Sequence, residues 1–304
     1  MSDLFEVADQ RFKSLFNGSA RLEHLGTGYR WAEGPAWFAA GRYLVWSDIP
    51  NDRMMRWDET DGSVSVFRHP AGNTNGHTVD REGRLISCEH GGRRVSRTEH
   101  DGTVTTIADR YQGKRLNSPN DAVVKSDGSI WFTDPSYGID SDYEGNKAES
   151  EIGSCNVYRV DPANGDIAAV ITDMKRPNGL AFSLDEKLLY VADTGATHDP
   201  KMVGHIKSYQ VKGDKCSGGK VLIKAKPGDG LYDGFRLDVD GNIWTSAADG
   251  VHCYAADGKL LGKVRVPEGV ANVAWGGIKR NVLFVCATSS LYAVRLMTSG
   301  AKSV

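Results

Sequence analysis

The stretch RPNGLAFSLDEKLLYVADTG, residues 176–195, decides the fold. Two apolar runs, NGLAF from Asn178 and LLYVADT from Leu188, flank the turn SLDEK and read as an antiparallel strand pair. The plan recurs as DGFRLDVDGNIWTSAADG from Asp233, where Asp-Gly marks the tight turn, and as NDAVVKSDGSIWFTDPSYG from Asn120. Further out, EGPAWFAAGRYLVWSDI begins at Glu33, NGHTVDREGRLISCEHGG at Asn75 and NVAWGGIKRNVLFVCATS at Asn272. A third run follows each pair, such as RMMRWD or NVYRVD, and usually a fourth, such as VSVFRH or IAAVITD. Four short strands per unit of about 40 to 58 residues, repeated six times, is the period of a β-propeller blade. The expected fold is an all-β, six-bladed β-propeller with a central metal site, one domain over residues 1–304. Residues 1–20 read as a short amphipathic N-terminal helix, with Leu4, Phe5, Phe12, Leu15 and Phe16 on related faces. Arg21 to Leu25 read as a strand that joins the last blade and closes the ring.

Bulk composition narrows the partners. Thirty-seven Lys+Arg against 39 Asp+Glu give a formal net charge of -2, and no basic block follows a nucleic-acid backbone or an anionic membrane. No stretch approaches the roughly 18 apolar residues of a membrane span, and the N-terminus has no signal-peptide core, so a cytoplasmic protein is expected. The five cysteines are odd in number and widely separated, which argues against a disulfide framework or a zinc knuckle.

In a propeller the first strand of each blade lies nearest the channel, so the residues that start these strands meet around one axis. Here they are Glu33, Asn75, Asn120, Asn178, Asp233 and Asn272; all carry side-chain oxygen and none is Lys or Arg. Such a ring suits one hard divalent cation, with Ca²⁺ or Mg²⁺ favoured over a dedicated zinc site. The competing account is that Asn and Asp cap turns through their own side chains. The second strands end in Asp48, Glu89, Asp134 and Asp193, each 14 or 15 residues after its axial partner, whereas Ala247 and Ala287 stand there in the last two units. These acids are expected to form an outer layer that draws in a cation and orients its ligands.

The motifs WAEGPAWF, CEHGGRRV, KRLNSPNDAVVKSDGSIWFTDPSYG, RPNGLAFSLDEKLLYVADT and YDGFRLDVDGNIW resemble the senescence marker protein, gluconolactonase and luciferin-regenerating enzyme family over essentially the whole chain. Bacterial gluconolactonases look most alike. The resemblance implies one catalytic divalent cation on Glu33, Asn178 and Asp233; the oxygen donors make Ca²⁺ the expected ion, with Mg²⁺, Mn²⁺ or Zn²⁺ as other options. Asn120 is implied either as a fourth ligand or as a substrate contact. The arginine that holds substrate in animal members has no match, since Ser118 stands there.

The expected reaction is hydrolysis of a sugar-type lactone, with the cation polarising the carbonyl and Asp233 as the base that activates water. Asn75, His90 and Tyr137 are expected substrate contacts. The long loops 136–153 and 194–205 are expected to form a lid over them. Glu89 is too close in sequence to partner His90 in a histidine-based mechanism. The expected partner is a small-molecule lactone, with the chain acting as a monomer or a homodimer. A phosphotriesterase on the same scaffold and a non-enzymatic, partner-binding propeller are the alternative readings.

Overall fold

The computed structural model describes residues 4–302. Six antiparallel sheets form a six-bladed β-propeller; four blades run outward in chain order from an inner strand, and the last two do so up to an outermost strand supplied by the N-terminal segment. The inner strands are Ala32–Phe38, Thr74–Val79, Ala122–Val124, Pro177–Phe182, Phe235–Leu237 and Val270–Gly276. The six units read from the sequence are these six blades.

Burial explains the sequence texture. Second strands such as Leu188–Asp193 and Val282–Ala287 are sandwiched between neighbouring blades and read as near-continuous apolar runs. Outer strands such as Val64–Arg68 face water and alternate loosely with polar residues. Trp46, Trp131 and Trp244, each on a second strand, are fully buried and fill the wedges between blades. Each contributes roughly 2–3 kcal/mol through its apolar surface.

Leu22–Thr27 pairs antiparallel with Ser290–Arg295 and supplies the outermost strand of the last blade, as expected of residues 21–25. The expected N-terminal helix is corrected. Phe5–Val7 is instead a strand, which adds a fifth member to blade five by pairing with Leu260–Arg265. One turn of 3-10 helix, Gln10–Ser14, follows. Its apolar residues satisfy the core without helical periodicity: Phe5 stacks on Phe16 at 4.0 Å, and Phe12 is buried against Trp244. Residues 1–3 lie outside the described residues. Among the described residues no helix is long and apolar enough to cross a membrane.

Candidate active site

The glycine that follows four of the six axial residues shows how the inner strands meet. A Cβ on Gly34 would overlap the Asn75 carbonyl, one on Gly76 the Asn120 carbonyl, and one on Gly179 the Asp233 carbonyl; one on Gly234 would overlap the Asn272 side chain. Each contact joins one blade to the next. Only a residue without a side chain lets the starts of adjacent inner strands crowd at the axis. Gly76 N also donates to Asn120 O at 2.7 Å. Glu33, Asn75, Asn120, Asn178 and Asn272 are buried, and Asp233 alone keeps partial exposure.

The outer acids fix these residues through the backbone. Asp48 accepts from the amides of Arg30 and Trp31, Asp134 from those of Asn117 and Ser118, and Asp193 from those of Lys175 and Arg176. In each case the amides lie three and two residues before the axial residue of the same blade. These carboxylates therefore set where Glu33, Asn120 and Asn178 begin. Asp48 is balanced by Arg53, whereas burial pushes Asp134 up to about 7. Glu89 departs from the pattern and is tied to Arg94 and Ser96.

Side-chain partners sort the axial oxygens. Asn272 donates from Nδ2 to Glu33 Oε2 at 2.9 Å and accepts from Val273 N through Oδ1, so its oxygen is engaged. Asn178 donates from Nδ2 to Thr194 Oγ1 at 3.2 Å, which leaves its Oδ1 free. The Asp233 carboxylate and the Asn120 carboxamide make no hydrogen bond among the described residues, although Ser246 holds the Asp233 amide. Burial raises the carboxyls of Glu33 and Asp233 above their ordinary range, with repulsion from Asp121 adding to it at Glu33 and from Glu33 at Asp233. Asp121 and Glu144 add to the negative field at Asp233. The one cation acting on Glu33, Arg236, is paired across the channel with Asp121 at 3.3 Å. Glu33 and Asp121 thus share one guanidinium, Asp233 has only negative neighbours, and oxygens without partners stand beside them. That donor set and charge fit a hard divalent cation. Among the described residues no three His, Cys, Asp or Glu side chains gather into a metal cluster, so the central metal site expected from the sequence is not displayed.

Tyr137 hydrogen-bonds Thr194 Oγ1 at 2.7 Å and Thr197 Oγ1 at 3.0 Å, and Asp140 of the same loop meets Arg176 and His198. The two long loops are thereby joined at one mouth of the channel. His90 is buried at this mouth, and burial lowers its pKa to about 4, so its imidazole is neutral at pH 7. Asn75 Nδ2 donates to its Nε2 at 3.1 Å. His77 is buried too, but Ser47 and Ser87 occupy both its nitrogens. A cavity of about 330 Å³ lies at the other mouth, lined by the far ends of the inner strands, including Trp37, Phe182 and Trp275. Glu186, the carboxylate in that lining, is committed to Ser126 and Lys125.

Sequence reasoning missed Asp121, Thr194 and Glu144. Asp121 had a signal: it follows its axial residue where four other units have glycine. Glu144 had none, since it sits in a loop without periodicity.

A family model described as the SMP-30/Gluconolactonase/LRE-like region matches residues 31–289. The chain belongs to this family. It is 30% identical to a gluconolactonase of Zymomonas mobilis, over 95% of this chain and 85% of that protein. It is 29% identical to a pentonolactonase of Haloferax volcanii, over 85% of this chain and 82% of that one. The solved structure of a gluconolactonase from Xanthomonas campestris matches with a TM-score of 0.90 and 37% identity, covering 97% of this chain and 95% of the other. Like these family members, the chain is a lactonase.

Proposed function

We propose that the chain, working as one propeller domain, opens a sugar-type lactone at the mouth where Glu33, Asn178 and Asp233 converge, with one divalent cation held by these three side chains. The observation that carries this reading is the set of partnerless axial oxygens in an excess of negative charge. Ca²⁺ is the preferred ion because the donors are carboxylate and amide oxygens without Cys or His; Mg²⁺, Mn²⁺ and Zn²⁺ are the other options. Asn120, whose carboxamide is uncommitted, is a fourth ligand or a substrate contact.

A cation held by Glu33, Asn178 and Asp233 would supply Lewis-acid polarisation of the lactone carbonyl. The remaining steps belong to the chain. Asp233, the one partly exposed axial residue and an acid, accepts a proton from the water that attacks the carbonyl carbon. As the bond from that carbon to the ring oxygen breaks, Asp233 returns the proton to the ring oxygen, and the product is an open hydroxy acid. Glu33, held by Asn272 and by Gly34 N, balances charge. Asn75 and His90 line the substrate side, and Tyr137 braces the mouth. Asp48, Asp134 and Asp193 keep the strand starts in register, and Glu89 anchors the second blade.

The experiment is hydrolysis of D-glucono-1,5-lactone, followed by pH indicator on chelator-stripped protein before and after adding Ca²⁺, Mg²⁺, Mn²⁺ or Zn²⁺. Turnover restored by one of these ions is expected. Full turnover in the stripped protein would sink the metal-dependent reading, and silence with every ion would sink gluconolactone as substrate.

A further inference from the structure

The cavity at the far mouth lies on the propeller axis, since all six inner strands contribute to its lining. Its wall is largely apolar, with Trp37, Val124, Phe182 and Trp275 in it. At about 330 Å³ it stands at the small end of ligand pockets, which span roughly 300–1,000 Å³. The Trp37 ring stacks on Phe284, and Gly300 packs against Trp275, so the aromatic wall is held in place.

The charges of the lining are unequal. It holds the cations Arg236, Arg280 and Lys302 and the single carboxylate Glu186. Glu186 is engaged by Ser126 and Lys125, and Arg236 by Asp121. Arg280 is different. No carboxylate acts on its guanidinium, and burial alone holds it below its ordinary range. Nη2 donates to Ala301 O, Nε is buried without a partner, and Nη1 makes no hydrogen bond among the described residues. Arg280 N donates to Gly277 O at 3.0 Å, and Gly300 N donates to Arg280 O at 2.8 Å. The residue is thus clasped between the turn after the last inner strand and the segment that carries Gly300. A partly buried charge without a counter-ion is unfavourable, and a carboxylate set against it relieves that cost.

An apolar wall beside an uncompensated cation defines the ligand as a body without hydroxyls that carries one negative charge. The hydroxy acid released by lactone opening does not fit, because its hydroxyls would be buried against apolar side chains. A small inorganic anion would leave the wall unused. The geometry points to a second binding site at the far mouth, which takes a compact apolar monocarboxylate with its charge on Arg280 and its body against Trp37, Phe182 and Trp275. The site does not depend on the lactone chemistry at the opposite mouth.

The test is titration calorimetry of the full chain with 2-naphthoate, with 2-naphthamide, which has the same rings and no charge, and with acetate, which has the charge and no rings. The naphthoate is expected to bind, and the other two to bind roughly 10-fold more weakly or less well still. Arg280→Gln should erase most of the preference for naphthoate over naphthamide. Leu184→Glu, at an exposed position of the lining, should weaken naphthoate by setting a negative charge at the rim. It decides the matter alone if Arg280→Gln loses the native circular dichroism, since Arg280 also holds Ala301. No binding of naphthoate, equal binding of naphthamide or acetate, or naphthoate binding that survives in the folded variants would overturn the proposal; the last result would put the carboxylate elsewhere on the chain.

Discussion

Thr194 Oγ1 accepts a hydrogen bond from Asn178 Nδ2 at 3.2 Å, and the same hydroxyl donates to Arg176 O and bonds the Tyr137 hydroxyl. The threonine thus decides which end of the Asn178 amide is left without a partner, and so which atom the proposed cation would meet. Thr194→Val keeps the volume and removes that preference. Calcium affinity, measured by titration calorimetry, is expected to fall roughly 10- to 100-fold with the fold intact. Unchanged affinity would show that the orientation of Asn178 does not depend on Thr194.

Asp233→Asn retains an oxygen donor but no proton acceptor. Its kcat should drop roughly 100-fold or more while its circular dichroism matches the wild type. Retention of most of the activity removes Asp233 as the base.

Asp193 accepts from three amides, those of Lys175, Arg176 and Gly195, at 2.9 to 3.0 Å. Asp193→Ala leaves these donors without an acceptor, at a cost of about 2–4 kcal/mol. The melting temperature should fall by on the order of 5 °C or more, and activity should fall with it because Asn178 loses its anchor. A shift within error would mean that water replaces the carboxylate at no cost.

Burial raises the Asp134 carboxyl from 3.8 to about 7 in the folded protein. Across that range the folded state keeps a proton that the unfolded chain has released, so the stability due to this group is full below about pH 4 and is lost as pH rises through about 7. Asp134→Asn has nothing to titrate there. The difference in melting temperature between wild type and variant should therefore shift against the wild type from pH 4 to pH 7.5. A constant difference would contradict the raised pKa.

A Cβ at residue 179 would overlap the Asp233 carbonyl. Gly179→Ala should therefore cost about 1–3 kcal/mol and separate the Asn178 and Asp233 strand starts. Activity should fall more than stability, as measured by rate against melting temperature. A variant with full activity would show that the axis has room to spare.

The ring of blades was legible because the apolar pattern repeats at every scale, from the alternation within a strand to the recurrence of Glu33, Asn75, Asn120, Asn178, Asp233 and Asn272. Phe5–Val7 was not, because a three-residue strand has no period and its phenylalanines also fit a helical spacing. The acids at the second-strand ends were visible as charges, but not the direction in which they bond. Asp193 could face the axis or the loop behind it, and only the fold shows that it holds amides. Glu144 reaches His90 through a loop whose path depends on Ser118 and Gly138, contacts that leave no local pattern.

The pairing of Leu22–Thr27 with Ser290–Arg295 has a consequence for biosynthesis. Thr27 and Ser290 are 263 positions apart, so Leu22–Thr27 leaves the ribosome long before its partner strand does. Until then the nascent chain is an open arc with an unpaired strand edge, and the closure that ends this exposure is a long-range, slow-forming contact. The same closure brings Asn272 of the last blade against Glu33 of the first. A fragment that stops before the sixth blade therefore has neither a shut ring nor the neighbour that holds Glu33.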